Sequence, residues 1–146
     1  MTDYVLKGAI KKALGAFKNI TASGTLGVTG ASTLSTLTLS GLLTASAADG
    51  ITAFAGGGQA SATALTKTVN RVATVATAAD SVKLPASAAG LVVLVVNGAA
   101  NSMQVFGAGT DTINDVATGT GVAQAGGKAA SYFCPVAGKW YRTLSA

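Results

Sequence analysis

Between Gly24 and Leu43 the chain alternates Leu or Val with Thr or Ser, and glycine punctuates the pattern. It reads Gly24-Thr25-Leu26-Gly27-Val28-Thr29-Gly30, then Thr33-Leu34-Ser35-Thr36-Leu37-Thr38-Leu39-Ser40-Gly41. A period of two predicts strands with one apolar face. Each run holds only two or three apolar residues, and an isolated two-stranded hairpin is marginal in water. Such strands need partners, and copies of the same chain are the simplest ones. Leu26, Val28, Leu34, Leu37 and Leu39 are therefore the candidate self-association positions. A fibre shaft would stack many more repeats into a continuous core, so this short pattern predicts an arm.

The pattern changes on either side of the arm, which predicts three segments: 1–20, 21–62 and 63–146. In the first, Leu6, Ile10, Ala13 and Phe17 fall on one narrow stripe of a short amphipathic helix over 3–18, with Lys7, Lys11 and Lys18 along its flank. Thr2 or Asp3 suits its N-cap. Gly8 and Gly15 lie opposite and each costs roughly 1 kcal/mol against Ala, so the helix is expected to form on docking. Leu6, Lys7, Ile10, Lys11, Lys12, Phe17 and Lys18 are the candidate docking residues. An interfacial membrane helix is the alternative, and the interrupting lysines argue against a signal peptide.

In the second segment, Ala45–Gly50 reads as a turn and Ala55–Ser61 as a flexible connector. In the third, apolar runs recur between turn signals: 64–75, 81–84, 91–96, 102–106, 120–124, 128–134 and 139–144. About seven or eight short strands at such spacing predict an antiparallel β-sandwich or jelly roll. The expected fold is all-β, with that module preceded by a short N-terminal helix and an extended β-repeat arm.

Composition narrows the functional classes. Charged residues make up 10% of the 146, against roughly 25% in an average soluble domain, so much of the surface is expected to be covered by neighbours. The longest apolar run, Leu91–Val96, has six residues, far short of the ~18 that a spanning helix needs. Of the net charge of +5, three units sit in residues 1–18. With no other basic cluster, specific nucleic-acid binding is not expected.

The chain has no His, its acids are all Asp, and it has one cysteine, Cys134. A Ser–His–Asp triad, a Cys–His pair and a His-based zinc site are excluded. Cys134 lies in an apolar run and reads as a small buried hydrophobe. Asp111, Asn114 and Asp115 gather oxygen ligands, but without an EF-hand pattern they read as a polar turn. No phosphate-cradling loop is present. The chain is expected not to be an enzyme, and no catalytic, cofactor-binding or metal residue is assigned. Trp140 and Tyr141 fall on opposite faces of the last strand, with Trp140 expected in packing.

Several motifs occur in order: Val72-Ala73-Thr74-Val75-Ala76-Thr77-Ala78-Ala79-Asp80-Ser81-Val82-Lys83-Leu84-Pro85, Ala89-Gly90-Leu91, Val95-Val96-Asn97, Gln104-Val105-Phe106, Asp111-Thr112-Ile113-Asn114, Ala125-Gly126-Gly127-Lys128 and Gly138-Lys139-Trp140-Tyr141. Over about residues 70–142 this order resembles a β-rich module of tailed-bacteriophage structural proteins: capsid decoration proteins, head fibres and tail-fibre parts. The repeat at 24–43 is similar to short repeats of phage fibre proteins. The resemblance implies a virion protein on the capsid surface, met in the host cytoplasm during assembly. Its expected partners are the major capsid protein and its own copies, as a homo-oligomer with a trimer expected. A tail-fibre, head-fibre or spike component binding a host receptor or glycan is the alternative, and a membrane-active peptide on a carrier domain is a third. No cofactor is implied.

Overall fold

The computed structural model describes Gly27, Thr29, Thr33 and residues 35–146. The chain divides into two units, Met1–Gly41 and Leu42–Ala146. In the first unit, described residues 35–41 carry no strand or helix. The helix expected over 3–18 lies outside the described residues.

Leu42–Ala146 holds ten strands and no helix: β1 (Ala47–Thr52), β2 (Thr63–Ala64), β3 (Val69–Thr74), β4 (Ser81–Lys83), β5 (Val92–Asn97), β6 (Met103–Phe106), β7 (Thr112–Ile113), β8 (Val122–Gln124), β9 (Ala129–Val136) and β10 (Lys139–Leu144). They form a six-stranded sheet ordered β1-β3-β5-β9-β10-β7 and a four-stranded sheet ordered β2-β4-β6-β8. Up to β6 the chain changes sheet at every connection. β1, β3 and β5 pair in parallel, and so do β2, β4 and β6. Each circuit of the chain thus adds one strand to each sheet, and the circuits stack as coils about 4.8 Å apart. In register, Ala47 faces Val69 and Val69 faces Leu94, while Thr63 faces Val82 and Val82 faces Val105. The far end is closed by antiparallel strands: β8 on β6, β9 on β5 and β10 on β9.

The all-β expectation agrees with the described residues, but the antiparallel sandwich or jelly roll does not. The fold is a solenoid-like stack of coils. The difference lies in the connections, which are corners between sheets where a sandwich of hairpins would return each strand beside its predecessor. At the β3–β4 corner the Asp80 carboxylate accepts hydrogen bonds from Thr77 N (3.0 Å) and Thr77 Oγ1 (2.7 Å). Ala79 takes a left-handed φ of 74° there. Corners also bond to corners in neighbouring coils. Asn101 Nδ2 donates to Val75 O (3.0 Å) and Ala76 O (2.9 Å), and Phe54 and Ser81 exchange two backbone bonds of 2.9 Å. The turn read at 45–50 is instead largely strand β1, and the run 64–75 is broken into β2 and β3.

The core lies between the sheets. Val82, Val105 and Val122 line up across β4, β6 and β8. Leu65, Leu84, Val72, Val95, Met103, Ile113, Tyr132 and Trp140 are buried with them. Aliphatic residues stacked coil over coil thus fill a core whose few aromatics could not. Buried polar side chains satisfy themselves by bonding to backbone carbonyls. Gln124 Nε2 donates to Val95 O and Lys128 O, both at 2.9 Å. Asn97 Nδ2 donates to Asn101 O and Gln124 O, both at 2.9 Å.

Candidate interaction surface

The outer face of the larger sheet carries apolar side chains where water-facing strand positions are ordinarily polar. On β5, Val93, Val95 and Asn97 point inward and are buried, while Val92 and Leu94 are 49% and 37% exposed. The register carries this face across three strands. Val92 pairs with Phe133 and Phe133 with Tyr141; Leu94 pairs with Ser131 and Ser131 with Thr143. Phe133 and Tyr141 stack with ring centroids 6.1 Å apart. A shallow groove of about 360 Å³ crosses the face, lined by Val69, Leu94, Val96, Ala129, Thr143 and Leu144 among others.

Both margins of the face are neutralised. Arg71 Nη1 lies 2.9 Å from Asp49 Oδ1 and Lys139 Nζ lies 2.6 Å from Asp115 Oδ1. Asn114 and Asp115 both have left-handed φ, 52° and 57°, and Val116 N bonds back to Ile113 O. This tight turn is of the type that puts two successive residues at positive φ. It aims Asp115 at Lys139 and at the Tyr141 hydroxyl, which donates to Oδ2 at 2.9 Å. Those two donors hold the Asp115 carboxyl below its ordinary value. Hydrogen bonds from Arg71 and from Gly50 N do the same at Asp49.

The oxygen cluster read at 111–115 divides between two partners. Asp111 accepts from Ser87 N and Ser87 Oγ, both at 2.9 Å, whereas Asp115 faces Lys139 and Tyr141. Cys134 is buried, with its thiol against Val136 O. Trp140 is wholly buried and Tyr141 faces outward.

Of the candidate self-association residues, Leu37 and Leu39 are 61% and 50% exposed, while Leu26, Val28 and Leu34 lie outside the described residues. All seven docking candidates, Leu6, Lys7, Ile10, Lys11, Lys12, Phe17 and Lys18, also lie outside them. The face on β5, β9 and β10 was not among the sequence candidates, yet its signal was there. Leu91–Val96 is apolar at every position, the signature of a strand covered on both sides. Within Leu42–Ala146 only one side of β5 is covered.

Comparison with protein-family profiles, curated proteins and solved structures finds no match to this chain.

Proposed function

We propose that this chain is a capsid decoration, or cement, protein of a tailed bacteriophage, which binds the outer shell and stabilises it as a homo-oligomer. The observation that carries this reading is the outer face of β5, an apolar strand whose second side is open. A flat, uncharged apolar face on a small rigid body is chemistry for contact between proteins. The order of motifs over 70–142 supports the phage assignment. In this reading the N-terminal segment meets the major capsid protein through Leu6, Ile10, Phe17 and the four lysines Lys7, Lys11, Lys12 and Lys18, and the β-body adds buried area across junctions of the shell. No membrane and no specific nucleic acid takes part.

The test is retention on purified capsids of the phage that encodes the chain. Near-stoichiometric copies relative to the shell protein are expected. A chain starting at Gly24 is expected to lose that retention, and undiminished binding by it would remove the docking half of the proposal. A second reading, a fibre or spike component that binds a host glycan, is favoured by the stacked Phe133–Tyr141 pair, since aromatic faces pack on sugar rings. A copy number matching the tail would select it.

A further inference from the structure

We propose that the leucine-bearing arm of one copy, residues 42–46 with Leu42 and Leu43, seats in the groove on the larger sheet of a second copy. The inference rests on the homo-oligomer half of the proposed function and names the surfaces that make it.

Each copy carries both halves of this contact, and both are open. Leu42 is 101% exposed and Leu43 74%, so both side chains stand in solvent. Leu37 and Leu39, upstream, continue the exposed aliphatic series. The arm is fixed only at its root, where Val69 N donates to Ser46 O at 2.9 Å and Thr68 N donates to Ser46 Oγ at 3.1 Å. From Ser46 the four residues back to Leu42 reach at most about 14 Å, enough to cross to a copy packed alongside.

The lining of the groove matches such an arm. Val69, Leu94, Val96 and Leu144 offer aliphatic walls. The lining carries no charged side chain. The cations at the margins of the face, Arg71 and Lys139, are held by Asp49 and Asp115, and Lys128 Nζ donates to Ala146 O. The groove itself thus offers an acidic peptide or an anionic headgroup no charge. The matching chemistry is an uncharged extended segment that presents leucines, and Leu42–Ser46 is one. Exchange of identical segments between copies closes by symmetry without a second kind of surface.

Sedimentation velocity on the full chain tests this. The wild type is expected to sediment as a multiple of its 14.1 kDa mass. Leu42→Asp/Leu43→Asp and, separately, Leu94→Asp are expected to weaken association by at least about tenfold. The arm pair is so exposed that its substitution leaves the β-type circular dichroism unchanged, so that variant cannot fail merely by unfolding. Mixing a Leu42→Cys chain with a Leu144→Cys chain under mild oxidation is expected to give a disulfide between the two variants. A wild type that stays monomeric, or an arm variant that keeps its oligomer, overturns the inference. So does a Leu42→Cys/Leu144→Cys chain that closes the bridge within itself. A chain that exchanges arms but never binds capsids leaves the inference standing and removes the decoration reading.

Discussion

Tyr132 donates its hydroxyl hydrogen to Gln124 Oε1 across 3.1 Å, with both side chains fully buried. Gln124 in turn holds Val95 O and Lys128 O, so one amide joins β8, β5 and the turn before β9. Removing Gln124 leaves the buried Tyr132 hydroxyl without its acceptor, and an unsatisfied buried group costs more than the bond itself is worth. Tyr132→Phe is expected to cost about 1–2 kcal/mol and Gln124→Ala roughly 3 kcal/mol, read from urea midpoints.

Burial pushes the Tyr132 hydroxyl up from 10.0 to about 12. The folded state favours the neutral phenol, so its contribution is complete below pH 10.0 and is lost as pH rises toward about 12. Alkaline melts should show this fall, with Tyr132→Phe flattening it. The slope left in Tyr132→Phe belongs to Tyr141 and Lys139, both raised by their bonds to Asp115.

At the acid end the sign reverses. Bonds from Thr77 hold the Asp80 carboxyl below its ordinary value of 3.8, and Asp49 and Asp115 are lowered likewise by their partners. Their stabilisation is complete above 3.8 and is lost as pH falls through the lower folded values. Thermal midpoints measured from about pH 5 down to 2 should drop. Asp80→Ala should lower the midpoint at neutral pH and shrink the drop.

Gly126 and Gly127 separate two kinds of glycine requirement. A Cβ at Gly126 would meet Ala100 O at 2.2 Å and Ala99 O at 2.6 Å, backbone that cannot swing aside. At Gly127 nothing lies within 4 Å and the constraint is its φ of +72°. Gly126→Ala is expected to cost more than about 2 kcal/mol through displaced backbone, and Gly127→Ala about 1 kcal/mol through the left-handed conformation. Equal losses in denaturation would contradict this division.

Trp140 is the single tryptophan and is wholly buried, with no hydrogen-bond partner for Nε1 among the described residues. Its emission should be blue-shifted in the folded chain and move red on unfolding. Trp140→Phe removes an unpaired buried donor along with some volume and is expected to cost about 1 kcal/mol, whereas Trp140→Ala should cost about 3–5 kcal/mol.

The strands from β3 onward, except β7 inside the stretch 111–115 read as a polar turn, were largely legible as short apolar runs between turn residues. Trp140 and Cys134 were legible as core for the same reason. The coil topology was not. Alternation along Val69–Thr74 or Met103–Phe106 reports which side chains turn inward and says nothing about whether the next strand returns beside this one or joins the opposite sheet. That choice rests on corner contacts such as Asn101 with Val75 and Ala76, which are distant in sequence. β1 was missed because Asp49 and Gly50 read as turn formers, and its pairing with β3 overrides that preference. The candidate face hid in plain sight: Leu91–Val96 is apolar at every position, as in a strand buried on both sides, and its own body covers one.

The coil stack also gives the molecule a mechanical direction. A stack of coils holds each rung mainly through its nearest neighbours. β9 and β10 brace one end with antiparallel pairing, while β1 stands at the sheet's edge with β3 as its one partner. Tension applied at Leu42 therefore enters through β1, an edge strand that among the described residues is paired on one side alone. Coils peel in sequence from that side, so a pulled chain lengthens in steps while the braced end keeps its shape.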